Sequence, residues 1–324
     1  MKRLISLLLC ALLIVPALAE DAPDFEPIPW DIKVSPNLPN PDCYLPNNGG
    51  YHDDSIDIQI NVTYWTQDLQ QVDAPGEGTT TVMSARVKLT DVSQFRTGFA
   101  NKYPSKQARH VNDMTKRFNA VMGIDGDYCL YHEQGIVVRN GQTLRMRPHK
   151  GRDELIVDEN GDFHLITCTT QAKWDEYIAG GGTVLHAFCF GPALVVDGVP
   201  LTSLDDVTID NGKAKKAQRM VIGQTGKLEY LILTNEGPES TAPKSVGFDL
   251  VQMANLCVQF GLDNAYNLDG GSSSTIALNN QKINSPSSHK NRMVGDCIWF
   301  ATLVKEETWR EKESVQTVEV EENK

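Results

Sequence analysis

The sequence predicts an α+β protein: a single domain with a mixed, largely antiparallel sheet and a few helices. Three observations favour this class. Many short segments alternate apolar and polar residues, which is typical of half-buried strands. Asn-Gly pairs, a strong signal for β-hairpins, occur at 140–141 and 160–161. Only two segments carry a helical pattern, and there is no internal repeat.

The N-terminus has the three parts of a secretory signal peptide. Lys2 and Arg3 precede an apolar run at 4–15, and the small residues of 17–19 follow. The alternative is a membrane anchor, but the run is too short to cross a hydrocarbon core of about 30 Å. We therefore expect cleavage after Ala19, a secreted or cell-envelope location, and no stable membrane insertion afterwards.

Charge and cysteine content narrow the class of partner. The formal net charge of −12 makes nucleic acid an unsuitable ligand. Six cysteines remain once Cys10 is removed with the signal peptide. They could form disulfides or remain as buried free thiols, and the sequence does not decide between the two. No C-x-x-C or H-E-x-x-H spacing is present, so we assign no metal and no cofactor.

The first half of the chain predicts a linker followed by strands and one helix. Residues 20–54 are rich in Pro, Asn and Asp and predict an extended linker. Alternation from Ser55 to Val62 and again at 82–89 predicts strands. A helix is expected over 105–120, and a buried strand at 120–124 then ends in Asp-Gly-Asp.

The second half predicts more strands around a second helix. Strand character is present at 187–196 and 220–233, and a helix is expected over 247–260. A strand at 265–268 ends at an aspartate, resumes at 276–278, and a last strand covers 294–304. The domain is thus predicted to span 55–304, with a charged flexible tail at 305–324.

Two strand ends carry carboxylates beside glycines. Asp269 is followed by Gly270, Gly271 and a run of hydroxyl residues that includes Ser272 and Ser273. Such a turn brings the backbone close to a ligand, and its N–H groups can bind an anion. A polar hairpin in which the aspartate caps a turn explains the same pattern.

The second carboxylate block is Asp125-Gly126-Asp127, which a solvated turn or a cation site would also explain. Arg139, Arg219 and Arg292 lie next to predicted strands, and a guanidinium matches the oxygens of a phosphate. There is no G-x-S-x-G elbow and no P-loop, so a serine esterase or a nucleotide enzyme has no support.

Together these blocks resemble one family. They are N-A-V-M-G-I-D-G-D-Y (119–128), G-I-V-V-R-N-G (135–141), F-G-P-A-L-V-V-D-G (190–198), R-M-V-I-G (219–223), S-V-G-F-D-L-V-Q-M-A (245–254), Y-N-L-D-G-G-S-S-S-T (266–275) and N-R-M-V-G-D (291–296). The series, from about 55 to 304, resembles the phosphodiester glycosidase domain, the family of the enzyme that uncovers mannose 6-phosphate.

The resemblance implies hydrolysis of a sugar 1-phosphodiester at the anomeric carbon. It implies Asp269 as the main catalytic carboxylate and Asp127 as a second one. Substrate binding would fall to arginines and to the glycine–serine turn, through Arg219, Arg292, Arg139, Asn267, Gly270, Gly271, Ser272, Ser273 and Asp125. The phosphate leaving group needs little protonation, and retention or inversion stays open.

Three positions depart from the family pattern. Asp125 stands where the family has Asn, Ser272 where it has a third Gly, and Met220 where it has a small polar residue. The first two keep open a noncatalytic module that binds a cell-surface glycan or a teichoic-acid-like polymer. A structural envelope protein that has kept only the fold is the other alternative.

Overall fold

The computed structural model describes residues 39–205, 215–238, 240, 244–285 and 291–303. The predicted signal peptide, most of the predicted linker and the charged tail lie outside these residues. In the part described, no helix is long and apolar enough to cross a membrane.

Twenty strands and three helices lie in the described ranges. The strands are β1 Tyr44–Leu45, β2 Gly50–His52, β3 Ile56–Trp65, β4 Gln71–Val72, β5 Thr80–Leu89, β6 Phe95–Phe99, β7 Met122–Asp125, β8 Gly135–Arg139, β9 Gln142–Arg147, β10 Glu154–Val157, β11 Phe163–Ile166, β12 His186–Phe188, β13 Ala193–Val196, β14 Val199–Pro200, β15 Arg219–Gly226, β16 Glu229–Asn235, β17 Asn264–Asn267, β18 Ile276–Leu278, β19 Gln281–Lys282 and β20 Asp296–Phe300. The helices are α1 Val111–Arg117, α2 Gln171–Ala179 and α3 Leu250–Gln259.

The strands form three antiparallel sheets. The largest has the order β1-β2-β3-β5-β16-β15-β17-β13-β14, with β4 paired to β3. The second has the order β11-β10-β12-β8-β9, and the third β19-β18-β7-β20-β6. Every strand pair described is antiparallel. The predicted α+β class with a largely antiparallel sheet is therefore confirmed.

Alternation along the central strands divides the core. Ile222 of β15 lies in the main core with Phe188 of the second sheet and Ile298 of the third. Its neighbour Val221 points to the other face, where it belongs to a separate apolar cluster with Met253 of α3. Because successive side chains of a strand face opposite ways, one sheet packs on two layers.

Helix α3 begins three residues later than predicted, and a capping box explains why. Asp249 accepts a hydrogen bond from the Gln252 N–H at 2.8 Å, and Gln252 Oε1 accepts one from the Asp249 N–H at 3.2 Å. The helix predicted over 105–120 is likewise shorter. Residues before Val111 are extended, since Arg109 forms an isolated bridge with Val294.

Other differences come from strand pairing. The strand predicted at 187–196 is two strands in two sheets, divided at Gly191-Pro192. β18 does not continue β17 but pairs with β7 in the third sheet. The predicted linker contains β1 and β2 in its described part, and β2 pairs with β3. Helix α2, which has only Trp174 buried, was not predicted because its apolar face is too narrow.

Candidate active site

Backbone hydrogen bonds join the two carboxylate blocks at the strand ends. The Asp269 N–H donates to Gly126 O at 3.1 Å, which brings the end of β17 onto the end of β7. The Gly271 N–H donates to Gln218 O at 3.1 Å, at the start of β15. A Cβ on Gly270 would lie 3.0 Å from the same carbonyl oxygen, a tight contact that favours a glycine there. Two sheets therefore meet where the carboxylates lie.

Asp269 is a buried carboxylate with nearby donors. Its residue is 8% exposed, and its Oδ1 accepts a hydrogen bond from the Gly270 N–H at 2.9 Å. Burial raises the pKa of Asp269 to about 6, although the Ser273 hydroxyl, the Arg292 charge and the Gly270 N–H act in the opposite direction. The side chain is therefore mostly ionised at neutral pH and is poised for proton transfer or charge stabilisation.

Asp125 is more deeply buried than Asp269. Its Oδ1 accepts a hydrogen bond from the Thr275 N–H at 2.8 Å, and its Oδ2 is buried with no hydrogen-bond partner. Burial, and next the charge of Asp269, raise the pKa of Asp125 well above its ordinary value. These influences favour the protonated, uncharged form of Asp125, which has the shape of the asparagine that the family pattern leads one to expect at this position.

Asp127 lies in a closed ionic network. Arg139 Nη2 donates to Asp127 Oδ1 at 2.8 Å and to Asp296 Oδ2 at 3.1 Å, and all three side chains are almost fully buried. The other Asp127 oxygen accepts the Cys189 N–H at 2.9 Å. The Arg139 guanidinium also donates to Ala187 O and lies 4.4 Å from the centre of the Phe188 ring.

The two carboxyl groups of this network have pKa values shifted in opposite directions. Burial acts to raise the pKa of Asp127, but the Arg139 charge and the Cys189 N–H outweigh it and hold the pKa below its ordinary value. Burial and the charge of Asp127 raise the pKa of Asp296 to about 7. Asp127 is therefore ionised and locked to Arg139, and both its oxygens already have protein partners.

The same cluster has donor atoms at metal-binding separations. One atom each of Asp127, Cys129 and Asp296 lies within 4.8 Å of the others. However, Arg139 Nη2 contacts all three, with Cys129 Sγ at 3.7 Å. The guanidinium supplies the positive charge of this site, and burial raises the pKa of the Cys129 thiol well above its ordinary value. The arrangement suits a structural ion network better than a metal.

Arg292 borders the site from its exposed side. Its guanidinium lies 5.6 Å from the centre of the Tyr128 ring, and Tyr128 stacks on Tyr131 at 4.5 Å. The charge of Arg292 lowers the pKa of Asp269, which places the two within electrostatic reach of each other. An exposed arginine near a buried carboxylate is suited to bind an anionic substrate group.

Two of the predicted binding residues have other contacts. Arg219 donates to Phe248 O at 3.4 Å and to Lys215 O at 2.6 Å. Asn267 donates to Gly191 O at 2.8 Å and is buried. Ser272 lies in the 3-10 turn Gly271–Ser273 that follows Asp269. Through these hydrogen bonds Arg219 and Asn267 fix neighbouring backbone segments around the site.

Glu236 is a candidate that the sequence reasoning missed. Its Oε1 accepts the Ser285 N–H at 2.8 Å, its Oε2 is buried without a hydrogen-bond partner, and burial raises its pKa to about 7. Glu236 directly follows β16, and Gly270 lies shortly after β17. Because β15 lies between these two strands, Glu236 and Gly270 are about 10 Å apart, two strand spacings. An acid followed by glycine at a strand end, the pattern of Asp269, could have identified it.

The fold and the site define a protein with a buried carboxylate and an exposed arginine at the junction of antiparallel sheets. The sequence model of the phosphodiester glycosidase family matches residues 118–301, more than half of the chain, and the chain belongs to this family. No curated protein sequence matches it significantly.

Solved structures show the same fold. The catalytic domain of zebrafish N-acetylglucosamine-1-phosphodiester α-N-acetylglucosaminidase, auto-inhibited by its pro-peptide, is similar with a TM-score of 0.59 and 14% identity over 78% of this chain and 86% of that one. A hypothetical protein from Synechocystis is similar with a TM-score of 0.51 and 14% identity, over 78% of this chain and 62% of that one. At such identities the likeness concerns the fold alone.

Proposed function

We propose that this protein is an exported hydrolase that cleaves a sugar 1-phosphodiester, of the N-acetylglucosamine 1-phosphodiester type, at the anomeric carbon. Membership of the phosphodiester glycosidase family and the fold shared with the zebrafish catalytic domain support this reaction class. The observation that carries the proposal is Asp269, an ionisable carboxylate with a pKa of about 6 inside the matched region and near Arg292. The proposal that the protein is exported depends only on its N-terminal sequence pattern.

In the mechanism we propose, Arg292 holds the phosphate and Asp269 acts on the sugar. Positive charge grows on the anomeric carbon as its bond to the phosphate oxygen breaks. The ionised Asp269 stabilises that charge, as base toward water or as nucleophile. The leaving phosphate departs as a stable anion and needs little proton donation. Burial favours the protonated form of Asp125, and that form adds no charge that would repel the phosphate.

Asp127 takes a supporting role in this proposal. Both its oxygens have partners in the closed network with Arg139 and the Cys189 N–H. It keeps the end of β7 in place, so that the Gly126 carbonyl can receive the Asp269 N–H. The direct contacts to substrate are assigned to Asp269 and Arg292, because the N–H groups of Gly270, Gly271, Ser273 and Ser274 in the turn after Asp269 already have protein acceptors.

Asp269→Asn tests the proposal. Removing a charge that stabilises the transition state in a water-poor site is expected to lower kcat/KM by about 100-fold or more, with the melting temperature nearly unchanged. The substrates are sugar 1-phosphodiesters, and released reducing sugar is measured. Asp263→Asn, at the exposed other end of the same strand, is the matched control and should keep full activity. Unchanged turnover in Asp269→Asn would refute the catalytic assignment.

The second candidate is a noncatalytic glycan-binding module, favoured by the low exposure of Asp269, 8%. A binder would retain a sugar-phosphate polymer on a column without releasing reducing sugar. Retention without release by the wild-type protein would select this candidate over the hydrolase.

A further inference from the structure

A cavity of about 540 Å³ is lined by residues 129–133, which directly follow Asp127 and Tyr128 in the chain. Its wall includes Tyr103, Lys106, Cys129, Tyr131, Arg145 and Arg147. Tyr131 stacks on Tyr128, which carries the Arg292 guanidinium over its ring. The Cys129 N–H donates to Asp127. The cavity and the site therefore share a wall.

The cavity is positively charged in an acidic protein. Lys106, Arg145 and Arg147 contribute three cationic groups to its lining, against the single carboxylate of Glu133. His132 also lines it, and burial lowers the pKa of His132, so that it is neutral at neutral pH. The whole chain carries a formal charge of −12. A local excess of positive charge inside a concave wall attracts anions in spite of the net field.

Arg145 makes this charge a fixed part of the wall. Its guanidinium donates to four backbone carbonyls, those of Cys129, His132, Gln134 and Gly135, and to the thiol of Cys189. In the described part of the chain no carboxylate lies within 4.0 Å of it. Its hydrogen bonds hold the 129–135 loop, and the groups that accept them are uncharged.

The two remaining cations project from this frame. Arg147 lies two residues from Arg145 on β9, so both side chains point to the same face of the strand. The Tyr131 hydroxyl donates to Lys106 O at 3.2 Å, which ties the Lys106 segment to the cavity wall. Both Lys106 and Arg147 are exposed and free to meet a ligand.

We propose that this cavity binds the leaving-group side of the substrate and selects a leaving group that carries a second phosphate. The inference rests on the proposed function. It extends that function from any sugar 1-phosphodiester to one within a polyanionic molecule, such as a chain of phosphodiester-linked units. Arg292 binds the phosphate attached to the anomeric carbon, and the cavity binds the next phosphate in the molecule.

A binding experiment tests the cavity without using catalysis. Inorganic pyrophosphate is titrated calorimetrically into the wild-type protein, into Lys106→Ser/Arg147→Ser, and into the control Lys173→Ser/Lys227→Ser. Each double variant removes two exposed positive charges, so the change in net charge is matched. We expect the cavity variant to lose at least about tenfold in affinity and the control to bind as the wild type does. Equal affinities in both variants, or no binding to the wild type, would overturn the cavity site.

Kinetics then connect the cavity with the reaction. Two N-acetylglucosamine 1-phosphodiesters are compared. In one the leaving phosphate carries a methyl group, and in the other it carries glycerol phosphate. In the cavity variant we expect KM to rise about tenfold for the second substrate only, with kcat unchanged for both. An equal change for both substrates would contradict the selection. Pyrophosphate binding without hydrolysis of either substrate would refute the proposed reaction and leave the cavity site standing.

Discussion

At the scale of single residues, two aspartates at neighbouring strand ends are surrounded by different groups, and this difference acts on their pKa values. Asp125 is fully buried and receives one backbone N–H, whereas Asp269 lies nearer to the Arg292 guanidinium and receives the Gly270 N–H. Burial therefore dominates at Asp125, and donors and the arginine partly offset it at Asp269. When their surroundings give two carboxyl groups different pKa values, the two groups are suited to different roles in catalysis.

The raised pKa of Asp125 leads to a stability prediction. Asp125→Asn replaces an acid whose buried site disfavours its charge with an uncharged amide of the same shape, so the variant should fold and be at least as stable as the wild type. The advantage should grow with pH, because the wild-type carboxyl is forced toward ionisation in a buried place. Melting curves between pH 6 and 9 measure it. A variant less stable than the wild type at pH 8 would show that Asp125 is needed as a carboxylate.

The pKa of Asp269 predicts how the rate depends on pH. The proposed reaction needs the ionised form, so kcat/KM should fall about tenfold per pH unit below about 6. Glu236, with a pKa of about 7, is another carboxyl that titrates in this range. The profile is therefore repeated with Glu236→Gln, whose acid limb should coincide with that of the wild type. A displaced limb would assign the titration to Glu236 instead.

At the scale of elements, one arginine holds three strands together. Arg139 at the end of β8 binds Asp127 in the loop after β7 and Asp296 at the start of β20. β7 and β20 pair in one sheet, and β8 belongs to another. Gly126 fits beside this network because a Cβ there would lie 2.4 Å from the Asp296 carboxyl. The network thus positions two sheets at the candidate site.

Breaking this network is predicted to destabilise the protein strongly. Arg139→Met leaves a buried carboxylate without its counter-charge, which typically costs about 3–5 kcal/mol in the free energy of unfolding. Arg147→Met, on the exposed end of β9, should change it by about 0.5 kcal/mol or less. Urea denaturation measures both. A loss below about 1 kcal/mol in Arg139→Met would mean that the network contributes little to the fold.

At the scale of the whole molecule, several buried acids share a raised pKa. Burial is the main cause for all four of Asp125, Glu154, Glu236 and Asp296. In the folded state these groups keep protons that the unfolded chain releases at a lower pH. Unfolding therefore releases protons, and a rise in pH favours the unfolded state. His132 and His186, with lowered pKa values, act in the opposite direction, but only below about pH 6.5.

The free energy of unfolding is thus predicted to fall as the pH rises from 6.5 to 7.5, the range in which Glu236 and Asp296, with pKa values of about 7, lose their protons in the folded protein. Urea denaturation at the two pH values measures the change. Asp125→Asn/Glu154→Gln removes two of the titrating groups without changing their shape, so the double variant should show a smaller decrease. A stability that rises with pH in this window would mean that these acids are ionised in the folded protein.

Local patterns were sufficient for much of the fold. Asn140-Gly141 predicted the β8–β9 hairpin, and both residues adopt the positive φ that such a turn requires. Alternation predicted β3 and β5, because each has one face toward the core. Helix α2 lacked a comparable signal, and the division of 187–196 between two sheets depends on partners elsewhere in the chain.

In the candidate site too, some features follow from local sequence and others from tertiary contacts. The sequence by itself determined that Asp125, Asp127 and Asp269 lie at strand ends beside glycines, since turn chemistry and strand period act over a few residues. Only the tertiary structure decided in which direction the pKa of each is shifted. Asp125 meets the Thr275 N–H 150 positions away, and Arg139 meets Asp296 157 positions away. A carboxyl's pKa depends on burial and on such distant partners, which a local pattern does not encode.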